Sequence, residues 1–183
     1  MRIVQFIMMV LVLASPARLA RAGEQGAATG HAAHIDGASS ALVDEVRRAT
    51  AAFRDIRNLP PGYAPVLGCV SGPLVGAMGV HFINPALLGD AVLDPSQPEA
   101  LIYEFRNGYA RLVGVEYIVQ AGVWHVEHAP QDPPVLRGQL LHFENSPNRF
   151  GLPAFYERHV WAWRDNPNGV FVDWNPRVSC DAQ

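Results

Sequence analysis

Hydrophobic and polar positions change rhythm twice along this chain, and each change marks a boundary. Arg2 precedes the twelve-residue run "IVQFIMMVLVLA", and "ARA" ending at Ala22 places small residues where a signal peptidase reads them. Residues 1–22 therefore read as a signal peptide, too short in its apolar run to span a bilayer as a stable helix. Residues 23–40, "GEQGAATGHAAHIDGASS", are small and polar without period and read as a flexible leader carrying His31 and His34. From Ala41 a helical period sets in. Leu42, Val46, Ala49, Phe53 and Ile56 recur at spacings of three and four, opposite Asp44, Glu45, Arg47, Arg48 and Arg54. Ser39 or Ser40 is available as N-cap, and Pro60, Pro61 and Gly62 end the helix.

Beyond this point the period falls to two. Strands are expected near 66–70, 78–83, 100–105, 110–120 and 157–164, with Asn107-Gly108 as a primed hairpin turn. The proline-rich 129–139 reads as an ordered loop or lid, and the tail after Arg164 as a segment that wraps back onto the sheet. Helix first, antiparallel strands after, predicts one α+β domain over 41–183. A helix packed on a curved sheet of the cystatin or NTF2-like kind fits this order; a small barrel or sandwich with one flanking helix is the alternative.

Composition narrows the partners. The 161 residues after the signal peptide suffice for one domain with a real core. Net charge is −3 without a basic stripe, which disfavours nucleic acid, and no second apolar run offers a membrane span. In the oxidising compartment that export implies, periplasmic or extracellular, Cys69 and Cys180 read as a disulfide. Nothing in the chain fixes an oligomeric state.

Strand alternation then singles out four side chains. His81 shares a face with Gly79 and Ile83; Glu104 with Ile102; Glu116 with Leu112, Gly114 and Ile118; His159 with Trp161 and Trp163. Gly79 and Gly114 would leave room beside them. Buried carboxylates need a partner or a cation, so His81, Glu104, Glu116 and His159 form a candidate site for a divalent transition metal such as Zn²⁺, Mn²⁺, Fe²⁺ or Cu²⁺. The same groups could instead line a small-molecule pocket walled by Tyr103, Tyr117, Trp161 and Trp163, with a glutamate as general base of a hydrolase, isomerase or oxygenase. They could also be hydrogen-bonded pairs, His81 with Glu116 and His159 with Glu104, that only fix strand register.

A second group, His125, Glu127 and His128 with His142 further on, reads as solvated loop residues, the first two facing one way along a strand. "HVEH" lacks the spacing of the zinc-protease helix motif. Asp132, Asp165 and Asp173 sit in turn sequences, where acids bond local backbone. No nucleophile elbow, P-loop or dinucleotide fingerprint is present.

The blocks "GAMGVHFINPALL", "PEALIYE", "LVGVEYIV" and "YERHVWAWRDNPNGVFVDWNPRVSC" together resemble a family of exported bacterial proteins of unknown function, over about Ala49 to Cys180. The resemblance implies no activity. It places His81, Glu104, Glu116, His159 and both cysteines in the family's blocks, and puts Phe155 where relatives often carry a histidine.

Overall fold

The computed structural model describes residues 37–129 and 132–181, all within one compact unit. The segment read as a signal peptide, the leader as far as residue 36, and with it His31 and His34 lie outside the described residues.

Helix α1 (Gly37–Thr50) begins earlier than its periodicity announced, so Ser39 and Ser40 lie within it rather than capping it. Leu42 and Val46 are fully buried on its sheet-facing side. The helix tightens into two 3₁₀ turns, Ala51–Arg54 and Ile56–Asn58, instead of running on to Ile56. Two polar contacts secure its end. Thr50 donates its hydroxyl to the Val46 carbonyl, and Tyr103 donates to the Phe53 carbonyl that the broken helix leaves free.

The strands are β1 (Ala64–Gly72), β2 (Gly76–Ile83), β3 (Ala100–Arg106), β4 (Tyr109–Gln120), the short β5 (Val135–Leu136) and β6 (Gln139–Leu140), β7 (His142–Glu144) and β8 (Phe155–Val160). Two short helices, α2 (Pro85–Leu88) and α3 (Ala121–Glu127), lie between them. Six strands form a curled antiparallel sheet in the order β1-β2-β3-β4-β8-β7, a half-barrel, so the α+β class holds. Asn107 and Gly108 both take positive φ, +52° and +77°, the primed turn their sequence predicts.

Each strand divides its residues between two faces. Val80, Phe82, Leu101, Tyr103, Leu112, Val115 and Tyr117 pack with α1. Ile83, Ala100, Ile118 and Phe155 pack on the other side. Strict alternation fails in β1, where the register shifts between Val66 and Ser71, and again in β4. A bulge at Val113 sets Ile102 opposite Gly114 but Tyr103 opposite Leu112, so Leu112 faces α1 and Glu116 faces away from it. The expected common face of Leu112 and Glu116 is thereby corrected. Strand β8 also ends at Val160, where Ala162 donates back to the Val160 carbonyl, so it does not reach residue 164.

The tail returns to the sheet. Asn175 exchanges backbone hydrogen bonds with Ala77, so close to Gly76 that a Cβ there would lie 2.2 Å from the Asn175 carbonyl. Three residues on, Val178 is buried beside Ile102 and Trp161. Cys180 bonds Cys69 with the Cα atoms 5.6 Å apart. The bridge closes a loop of 111 residues, worth roughly 4–5 kcal/mol in the chain-entropy treatment. A Cys69→Ala/Cys180→Ala variant is expected to lose up to about that much stability in equilibrium urea unfolding; an unchanged midpoint would show the tail held by Asn175 and Val178 alone.

Candidate metal centre

His81, Glu116 and His159 reach one point from β2, β4 and β8. Glu116 and His159 are direct cross-strand partners, while His81 bridges over β3. On this face β3 offers only a methyl opposite Glu116, from Ala100. His81 Nε2 lies 3.2 Å from a Glu116 oxygen and 3.4 Å from His159 Nε2. One ligand atom from each of the three residues falls within 4.8 Å of the others. Ligands about 2.1 Å from a tetrahedral ion stand about 3.4 Å apart, so the two contacts that His81 makes have the spacing of neighbouring ligands. All three residues are buried.

A second carboxylate supports the set. His159 donates Nδ1–H to Glu157 at 2.9 Å, leaving Nε2 turned toward His81. That carboxylate–histidine pairing fixes the ring and its tautomer, as the outer partner of a metal-bound histidine does. Asp173 lies 3.7 Å from the same nitrogen. Glu157 stands two residues before His159 and shares its face, a signal that strand alternation carries. Asp173, expected to bond local backbone in a turn, is brought here by the fold of the tail and not by its local sequence.

Desolvation decides the charge states. Burial drives His81 down to about 3, helped by the positive His159 ring, so His81 is neutral. For His159 burial works the same way, but Glu116, Glu157 and the hydrogen bond to Glu157 outweigh it and hold the ring up at about 9. Burial raises Glu116 well above the carboxylate range, and its contact with Glu157 adds to this. Glu157 is buried too, yet the His159 charge and hydrogen bonds from His159 and Glu116 keep it low and ionised. The resting cluster is thus one ion pair, His159⁺ with Glu157⁻, flanked by a neutral acid and a neutral imidazole. His81 Nε2 must accept from His159, and its Nδ1 has no hydrogen-bond partner. His81 Nε2 thus holds a lone pair, while His159 and Glu116 would each have to give up a proton to receive a cation.

Apolar side chains line the approach. The cluster lines a cavity of about 40 Å³ together with Val70, Met78, Ile83, Ile118, Phe150, Leu152 and Phe155. One ion with a water or two fits such a space, whereas an organic ligand needs roughly 300 Å³. The segment before β8 contributes Phe150 and Leu152, so part of the long loop borders the site.

Glu104 is not in the cluster. It faces the same side as Glu116 but lies four residues further along β3 than Ala100, where its carboxylate accepts the Ser179 N–H at 3.1 Å and faces Arg164 at 3.6 Å. The expected His159–Glu104 pair gives way to His159–Glu157. None of the four expected walls lines the cavity. Tyr103 and Tyr117 point to the α1 side and donate to the Phe53 and Pro95 carbonyls. Trp161 stacks near His159 with ring centres 5.9 Å apart, and Trp163 turns away to donate to Thr50. Gly79 and Gly114 serve the backbone instead of the cluster. A Cβ at either would lie 2.8 Å from a carbonyl, of Tyr103 or Val160.

The second histidine group dissolves into local contacts. Residues 121–127 are helical, so strand spacing does not apply to His125 and Glu127. His125 meets the Tyr156 hydroxyl, His128 stacks on Trp124, and His142 pairs with Glu144. One further buried acid went unnoticed in the sequence. Glu99 accepts the Ile118 N–H, and burial lifts it to about 8.

The chain matches no family model, no curated protein and no solved structure.

The charge states predict a pH dependence. His159, raised from 6.5 to about 9, contributes stability that is complete below pH 6.5 and lost as pH rises toward 9. Glu116 and Glu99, both raised, act in the same direction above pH 4.5. The opposing gain from His81 is complete by pH 6.5. Urea unfolding of metal-free protein is expected to show stability falling from pH 6.5 to 9; a flat or rising profile would mean that His159 is neutral in the fold.

Proposed function

We propose that this is an exported metal-binding protein whose divalent transition-metal ion is held by His81, Glu116 and His159. The observation that carries the reading is the meeting of three ligand atoms from three strands within 4.8 Å of one another. Two imidazoles and one carboxylate, with open positions toward a cavity, suit Zn²⁺, Fe²⁺ or Cu²⁺ better than Mg²⁺ or Ca²⁺, which prefer oxygen shells. Glu157 orients His159 and neutralises charge next to the ion. The N-terminal segment and the disulfide support export, and no described helix is long and apolar enough to cross a membrane.

The cavity favours binding over turnover of an organic substrate, because an ion leaves room only for water or a ligand of a few atoms. Any enzymatic step at this point acts on such a molecule. A second reading has one specific observation in its favour. The chain from His81 through His159 and Glu157 to Glu116 is hydrogen-bonded as it stands, and a polar core of this kind can simply hold β2, β4 and β8 in register.

The two readings part on metal content. Tag-free protein recovered from its native compartment is expected to carry one transition-metal ion per chain, measured by elemental analysis. The His81→Ala/His159→Ala double variant abolishes that stoichiometry; Glu157→Gln weakens affinity by about 10- to 100-fold. Uptake of Zn²⁺ near neutral pH releases protons from His159 and Glu116, seen as a calorimetric heat that varies with buffer ionisation enthalpy. Metal-free protein that takes up no ion, with Glu116→Gln as stable as the parent, would favour the register role.

A further inference from the structure

All 14 basic residues of this chain are arginine. Four of them, Arg106, Arg111, Arg164 and Arg177, line two grooves that share Glu104, at the hairpin end of the sheet. Two are committed. Arg164 donates through Nε and Nη2 to the Arg177 carbonyl at 2.9 and 2.6 Å, and Arg177 pairs with Asp165.

The other two are free among the described residues. Arg111 stands directly opposite Glu104 across the β3–β4 ladder and forms a backbone bridge with Asp55. Opposite charges in such positions ordinarily pair. Here both acids are engaged elsewhere: Glu104 with Ser179 N–H and Arg164, Asp55 with Arg57. The side chain of Arg106, two residues beyond Glu104 on β3, likewise makes no hydrogen bond or ion pair. In a protein of net charge −3, two uncompensated guanidinium groups border one groove of about 300 Å³ with Arg164 and Tyr109.

We propose that this groove binds a small molecule bearing a phosphate or carboxylate group. The volume is that of a small-ligand site. Arginine forks match the two oxygens of such a group. Arg164, already fixed by Glu104 and the Arg177 carbonyl, loses little freedom on binding. The site is separate from the metal centre, which lies roughly 13 Å away along β3, so either can fail without the other.

The test is calorimetric titration of the full mature protein with inorganic phosphate and, separately, with succinate, at ionic strength fixed with sodium chloride. Saturable binding of at least one probe is expected. Arg106→Gln/Arg111→Gln weakens it by tenfold or more, and Arg111→Lys, which keeps the charge without the fork, weakens it too. Both side chains are exposed, so the variants are expected to keep the parent's unfolding midpoint and metal content. Phosphate alone would assign a phosphoryl ligand, succinate alone a carboxylate. No saturable binding of either probe, or equal affinity in the double variant, overturns the proposal.

Discussion

Four ionisable side chains share the dry side of one sheet, and each is tolerated there only because the others are present. An isolated buried ion costs several kcal/mol even after relaxation. The cluster reduces four such ions to one pair, His159⁺ with Glu157⁻, by keeping Glu116 protonated and His81 neutral. Removing one partner strands another, so the cluster constrains the strands that carry it. Strands β2, β4 and β8 must keep their register to within one residue, because a one-residue slip would turn His81, Glu116 or His159 to the α1 side.

The irregularities of the sheet answer to that constraint. Without the bulge at Val113, Glu116 would share a face with Leu112 and be driven against the helix. Gly79, at φ +99°, lets β2 approach the Tyr103 carbonyl. Leu67, in the left-handed region at φ +66°, sits in the β1 bulge between Val66 and Val70 and also borders the cavity. For a branched side chain that conformation is sterically unfavourable, and its place beside the site is consistent with strain held at a functional position. The disulfide then ties the tail, with Asp173 on it, to the same bulged strand.

Much of this was legible in the sequence because it depends on local period. The helix, the five long strands, the primed turn at Asn107 and the cysteine pair follow from spacing and turn chemistry. Three of the four expected ligands converge because alternation within a single strand is a short-range property. Failures came where one residue changes parity or where the chain turns. The Val113 bulge is announced only by Gly114 beside it, which strand alternation alone presents as clearance for side chains. The strand's end at Val160 sends Trp161 and Trp163 to opposite sides. Glu104 obeyed alternation and faces the expected side, but alternation says nothing about position along a strand, and four residues took it to a different environment.

What the fold supplies is a preassembled His81, Glu116 and His159 cluster beside a small apolar cavity, with the Glu157 carboxylate behind His159 holding its ring in place. X-ray absorption at the edge of zinc bound to the mature protein addresses this most directly. The account predicts a four-coordinate nitrogen–oxygen shell near 2.0 Å with the multiple-scattering signature of two imidazoles, one of which disappears in His81→Ala. A sulfur shell, an all-oxygen shell, or an imidazole signal unchanged in His81→Ala would contradict it.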